Sequence, residues 1–455
     1  MNQYIRSLTL TLSIFIPLTF INVSESSELS EAKITLNDLY LFDEISSIDV
    51  SHSAKQIAYS VSSVDEKKDR YRNDIWLLDV NKNKKKVLIK GRPWVGKTKF
   101  SPDDTLVGYL APGRGQYSEY QQIWTINTNY RTKRQLTKLK ANINDFEWSP
   151  DGTQMILVAD SISVDKKTKS SVQTQKPIVI DRYYFKEDGK EFLGDERQHL
   201  HLLDIKSRTT KQLTKGTSNE ILPSWSPDSK KIAYVTKTGE MDRTNNYDVY
   251  VLEIDSTNNP IQLTTNLGAD SSSSRPQWSP DGKKIAYLHG GDPALLWYAL
   301  QELAVIDLDT KINSILTKEL DRNVSSPQWS DDGQSIYFVI EDNMKSQLAK
   351  YSLTNQKIKK ITPSNYYISG WAKSYVVRNG KIGLILSNTN SPDEVYFYDE
   401  NSLSQQSHHN SELLSSRKIL KTETISFKAA DGEELFGMMI KPDNFDPSKQ
   451  YPLII

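Results

Sequence analysis

Two histidines, one glycine-rich loop and two aromatic insertions are where this 455-residue sequence places side chains that could do chemistry. His199 and His201 lie two residues apart in an alternating apolar segment, so on a strand both face one side, as a metal pair would. No third ligand is indicated near them, and neither a metal nor another cofactor is expected. His289-Gly290-Gly291-Asp292-Pro293 imitates a backbone-donor loop that stabilises an oxyanion. The sequence contains no Gly-x-Ser-x-Gly elbow, so no nucleophile answers to that loop, and it reads as a glycine-rich turn region. Asp181-Arg182-Tyr183-Tyr184-Phe185-Lys186-Glu187-Asp188-Gly189 gathers aromatic and charged side chains in one long connection. Such connections on a rigid scaffold carry recognition. Arg182 and Tyr183 are the candidate binding side chains there; the plainer alternative is a hairpin with a solvated tip. Pro293-Ala294-Leu295-Leu296-Trp297-Tyr298 is the second candidate, with Trp297 and Tyr298 as an apolar wall for a substrate side chain or as packing under a loop.

The elements that must hold these residues come from a repeat. Trp148-Ser149-Pro150-Asp151-Gly152 returns as Trp225-Ser226-Pro227-Asp228-Ser229, Trp278-Ser279-Pro280-Asp281-Gly282 and Trp329-Ser330-Asp331-Asp332-Gly333. Phe100-Ser101-Pro102-Asp103-Asp104 and Val50-Ser51-His52-Ser53-Ala54 are weaker copies, and Trp371 marks a seventh. Proline presets φ in a tight turn, and aspartate and glycine complete it. An alternating strand such as Ile285-Ala286-Tyr287-Leu288 follows, then a second such as Leu303-Ala304-Val305-Ile306, then a short outer strand such as Lys211-Gln212-Leu213-Thr214. Most copies are about forty to fifty residues apart, the length of a four-stranded propeller blade. The longer gap from Trp148 to Trp225 gives the third unit an insertion. Such sheets bury both faces only when packed radially, so an all-β, seven-bladed β-propeller is expected over about residues 45–420.

Lysine plus arginine and aspartate plus glutamate both number 57, so no basic excess points to nucleic acid. The absence of cysteine excludes disulfides, thiolate metal sites, cysteine nucleophiles and a lipoprotein anchor. Arg6, the apolar run Leu8 to Val23, and the small residues Ser24, Ser26 and Ser27 read as a secretory signal over 1–26, with a retained anchor as the competing reading. Export to the periplasm or the medium follows, with no stable membrane span once the signal is removed. Residues 27–44 form a linker with a short capped helix near Thr35 to Phe42.

Residues 421–455 leave the blade pattern. Thr424 to Ala429 and Leu435 to Pro442 are strands around an Asp431-Gly432 turn, and Tyr451-Pro452-Leu453-Ile454-Ile455 reads as the opening of a buried strand. A domain is not expected to stop on such an edge, so the chain is expected to be the front part of a longer protein. Phe427-x-x-x-Asp431-Gly432-x-x-Leu435-x-Gly437, Lys441-Pro442 and Tyr451 to Ile455 together resemble the start of the α/β-hydrolase domain in prolyl-oligopeptidase-type serine peptidases. The Trp-Ser-Pro-Asp-Gly blades are similar to the propeller of the dipeptidyl- and acylaminoacyl-peptidase branch.

That resemblance implies a truncated hydrolase domain at 421–455. It also implies a catalytic serine, aspartate and histidine beyond Ile455, so no catalytic residue is expected within the chain, which should be inactive alone. The intact enzyme would act on short peptides, with the propeller as a size gate. The paired-glutamate motif of the dipeptidyl branch has no copy in a blade, Glu433-Glu434 being in the C-terminal hairpin. That leaves dipeptidyl, acylaminoacyl and oligopeptidase specificity open. The alternative is a non-enzymatic, TolB-like periplasmic propeller that binds protein partners.

Overall fold

Each repeat phrase becomes a turn held by its own side chains. In the third copy Ser149 Oγ donates to Asp151 Oδ1 (2.6 Å) and accepts the backbone N–H of Gln154 (2.9 Å). Gly152 sits at φ +72°, a left-handed value that suits a residue without Cβ. The same serine–aspartate bond recurs at Ser226–Asp228, Ser279–Asp281 and Ser330–Asp332. The computed structural model describes residues 32–161, 179–180, 182–188, 191–240, 242–256, 259–368, 374–399 and 402–455. The expected signal (1–26), Asp181, Gly189 and the seventh marker Trp371 lie outside them.

Among the described residues, seven antiparallel sheets of four or five strands follow one another along the chain. The first runs from Glu44–Val50 on the inside through Gln56–Asp65 and Arg70–Asp79 to Lys84–Arg92 at the rim. The second to sixth repeat this order, beginning at Gly96–Phe100, Ile143–Trp148, Glu220–Trp225, Gln277–Trp278 and Val324–Trp329. In the seventh, both Tyr367–Ile368 and Tyr375–Arg378 pair with Lys381–Asn388, which pairs with Ser391–Asp399 and so reaches Ser402–Gln405. The seven-bladed propeller expected from the repeat is the observed fold.

The phrase's tryptophans do more than end a strand. Each indole Nε1 donates to an inner-strand carbonyl of the preceding blade: Trp148 to Lys99 (3.4 Å), Trp225 to Glu147 (3.2 Å), Trp278 to Ser224 (3.3 Å) and Trp329 to Gln277 (3.0 Å). The outer strands are tied inward by a hydroxyl. Thr137, Thr214, Thr264, Thr317 and Thr362 Oγ1 accept the N–H of Ile123, Leu200, Val249, Leu303 and Leu348, and Ser407 does the same for Val395. Between blades lie apolar clusters, such as Leu88 and Ile89 of the first with Trp124 and Ile126 of the second.

Among the described residues the ring closes without a shared strand. Ile48, Val50 and Ile57 of the first blade pack on Val376, Ile385 and Phe397 of the seventh. Asn410 clasps the backbone of Asp43 from both amide atoms, accepting its N–H (2.8 Å) and donating to its carbonyl (2.9 Å). The linker helix is a 3-10 turn, Leu36–Leu41, whose Asp38 accepts from Thr35 N (2.7 Å) and pairs with Arg417 Nη2 (2.7 Å). The C-terminal hairpin pairs Thr422–Lys428 with Glu434–Ile440 and leaves Phe427, Leu435, Met438 and Ile440 exposed. Residues 451–455, expected to begin a strand, have no strand pairing and are exposed, because no neighbouring strand stands beside them.

Candidate substrate-facing site

A four-stranded meander puts its first and third turns on one face of the propeller and its middle loop on the other. The middle loops of the third, fourth and fifth blades lie between Asp160 and Gln198, Lys237 and Tyr247, and Gly290 and Gln301. All three therefore hang on one face. The chain enters the first blade and leaves the seventh at that same face, where Ala32–Lys33 pairs in parallel with Arg417–Lys418.

A pocket of about 770 Å³ opens between the third-blade insertion and the fourth blade. Arg182, Tyr184 and Phe192 come from the insertion, and Lys237, Asp242 and Tyr247 from the fourth blade. Arg182 joins the two walls. Its Nε and Nη2 donate to both carboxylate oxygens of Asp242 (2.9 and 2.6 Å), and Nη1 donates to the Gly194 carbonyl (2.8 Å). A bidentate pair of this kind is geometrically specific. The Arg182 hydrogen bond holds the Asp242 carboxyl below the usual aspartate range. Arg197 braces the same wall, donating to the carbonyls of Thr217 (2.8 Å) and Glu196 (2.9 Å).

The sequence-derived candidates are not gathered in one place. Arg182 lines the pocket as a clamp. Tyr183 is 69 % exposed outside the lining, with the Arg243 guanidinium 5.1 Å from its ring centre. Trp297 and Tyr298 sit on the 3-10 turn Pro293–Tyr298; Tyr298 is 88 % exposed, and the Trp297 side chain is outside the described set. His199 Nδ1 meets Glu220 Oε2 at 2.7 Å, and Thr214 Oγ1 donates to that same oxygen (2.8 Å), so His199 ties the third blade to the inner strand of the fourth. Among the described residues no three potential ligands cluster for a metal. The loop at His289 is a packing device: a Cβ on Gly290 would come within 2.3 Å of Ala269 N, and the Gly290 N–H donates to Asp270 (2.8 Å).

A second cavity, of about 540 Å³, lies on the propeller axis. Buried ions cross it. Lys97 of the second blade pairs with Asp145 and Glu147 of the third. Arg275, entering the fifth, reaches past the fourth to the same two carboxylates. Lys99 bridges Asp49 (3.6 Å) and Glu147 (3.8 Å). Burial pushes the Lys99 ammonium down, and Asp49 and Glu147 more than reverse it. Burial raises the Asp145 carboxyl, and Arg275 and Lys97 bring it below its ordinary value. The sequence reading missed this cluster. Its signal was present: residues one and three before each phrase aromatic share a strand face, and they read Lys99 and Lys97, Glu147 and Asp145, Gln277 and Arg275.

No family model matches the chain. Among curated proteins it is 24 % identical to dipeptidyl-peptidase 5 of Porphyromonas endodontalis, over all of this chain and 67 % of that one. It is 28 % identical to dipeptidyl-peptidase 5 of Porphyromonas gingivalis, over 51 % of this chain and 34 % of that one. The chain is a homologue of prolyl oligopeptidase-family peptidases. Among solved structures, the propeller of this homologue matches Pyrococcus horikoshii acylaminoacyl peptidase with a TM-score of 0.70 at 16 % identity, over 89 % of this chain and 59 % of that one. It also matches the β-propeller domain of the trilobed protease of Pyrococcus furiosus, described as having an open velcro topology, with a TM-score of 0.57 at 16 % identity, over 81 % of this chain and 97 % of that one. The chain thus spans about a third to two thirds of the length of these curated peptidases.

Proposed function

We propose that this chain is the substrate-selecting propeller of an exported serine-type peptidase acting on short peptides. The observation that carries the proposal is the 770 Å³ pocket on the face from which the polypeptide leaves the last blade. A hydrolase domain following the hairpin would sit over that face and pocket. The relatives support the peptidase reading, and their names leave the protein-binding propeller as the weaker alternative. The serine, aspartate and histidine are assigned to polypeptide beyond Ile455, so the propeller alone is inactive.

In this reading Arg182 acts by holding the pocket walls, because its donors are committed to Asp242 and Gly194. Tyr183 and Tyr298 are exposed contacts for peptide at the same face, with Trp297 next to Tyr298 in sequence. Exclusion of folded proteins is steric. The apolar run from Leu8 to Val23 supports export to the periplasm or the medium. Release of dipeptides is the first activity to assay, since two relatives carry that name.

The test uses the product of the complete gene and chromogenic dipeptide and tripeptide substrates. Tyr184→Ala, which strips a pocket wall, raises KM about fivefold to tenfold with kcat unchanged. An unchanged KM removes the pocket from substrate binding.

A further inference from the structure

The seam between the rims of the first and second blades holds cations that the fold does not neutralise. Two of them are spent on backbone. Lys86 Nζ donates to the Thr128 carbonyl (2.7 Å), and Arg131 Nη2 donates to the Val87 carbonyl (2.7 Å), so the two rims clasp each other. Three others stand around the resulting crevice. Arg92, at the end of the first blade's outer strand, places its guanidinium carbon 5.8 Å from the centre of the Trp124 ring. Arg114, from the middle loop of the second blade, places its own 4.8 Å from the same ring, and its backbone N–H donates to Gln135 Oε1 (3.0 Å). Lys133 pairs across the second blade with Ile126, as Gln135 does with Trp124. Directly paired residues share a sheet face. Trp124 and Ile126 pack on the first blade, so Lys133 points into the crevice as well.

None of Arg92, Arg114 and Lys133 has an ion-pair partner among the described residues, and one indole takes two guanidinium groups. In a chain of zero formal net charge, this is local segregation. Lysines on an outer strand also guard a sheet edge. That accounts for Lys357, Lys359 and Lys360 of the sixth blade, but not for two arginines turned onto one tryptophan. Burial, and then the charges of Arg92 and Arg131, lower the Lys133 pKa, as expected where like charges meet unrelieved.

We propose that this crevice is an anion site, in which Arg92, Arg114 and Lys133 hold a phosphate-type oxyanion. A planar carboxylate suits one arginine fork; cations brought to one seam from three separate chain segments suit a tetrahedral group with several acceptor oxygens. The source is a free phosphate ester or a lipid headgroup.

The experiment titrates the full chain with pyrophosphate at fixed ionic strength by calorimetry. In parallel, it measures co-sedimentation with phosphatidylglycerol–phosphatidylcholine vesicles against pure phosphatidylcholine. Arg114 and Lys133 are exposed, so Arg114→Ala and Lys133→Ala are expected to keep the melting temperature. Each lowers pyrophosphate affinity about tenfold, the effect of losing one charge-assisted bond. The control Lys357→Ala/Lys359→Ala changes nothing. Saturable pyrophosphate binding without vesicle recruitment assigns a soluble ligand; recruitment abolished by the crevice variants assigns a headgroup. No saturable binding in either arm, or equal loss in the control, overturns the site.

Discussion

At the residue scale, the fold rests on single polar atoms that close gaps between blades. Trp329 Nε1 reaches the Gln277 carbonyl at 3.0 Å, 52 residues away in sequence. Trp329→Phe removes that donor and some packing volume, and should lower stability by about 1–3 kcal/mol in urea unfolding. His201 gives a pH signature. Burial, with a smaller contribution from the nearby His199, lowers its pKa to about 4 from the ordinary 6.5. The unfolded chain takes up that proton first, so stability is complete above the ordinary value and falls as the pH drops toward the folded one. The expected slope is roughly 1 kcal/mol per pH unit, and His201→Gln should flatten it in urea midpoints measured from pH 7 to 4. Much of this scale was hidden in the sequence. The tryptophans were legible as strand ends because their neighbours are local. Their indole partners were not, because the bonds cross blades. Arg182 was singled out by type alone as a side chain to hold peptide, whereas the partner it holds in the structure, Asp242, lies 60 residues on.

At the scale of elements, the alternation of period two and the Ser-Pro-Asp-Gly turns made the strands and their order readable. The outer strands read clearly where Gln-Leu-Thr recurs, because the threonine hydroxyl takes an N–H of the neighbouring strand. Thr264→Val should free the outer strand of the fourth blade, leaving Val249 N–H unpaired and costing about 1–3 kcal/mol. Amide exchange at residues 261–263 should rise more than at Lys231–Lys237. The insertion was legible as extra length, but its wall was not, since the Arg182–Asp242 clamp depends on the next blade. Arg182→Ala and Asp242→Ala should each loosen the same segment, and the double variant should add little further loss. Asp242 is held ionised by the pair, so the clamp is intact above the ordinary aspartate range and lets go only as pH falls through its lower folded value.

At the scale of the whole molecule, the seven sheets form a ring whose ends meet by packing and side-chain bonds. A methyl group at Gly383 would sit 2.5 Å from Val50 Cγ2, across the junction between the last and first blades. Gly383→Ala should therefore open the closure, costing about 1–3 kcal/mol and exposing the first blade to proteolysis before the fourth. The repeat made the ring legible in sequence, because four-stranded units cannot bury both faces singly. The ionic bridge across the axis was not singled out, since its partners come from nonadjacent blades. The central claim is that this ring selects peptides for a serine nucleophile carried on the same polypeptide. Its most direct test is fluorophosphonate labelling of the purified product of the complete gene, followed by peptide mapping. The account predicts one labelled serine per chain, located after Ile455, with labelling blocked by a short peptide substrate. An intact, folded product that takes up no label would contradict it.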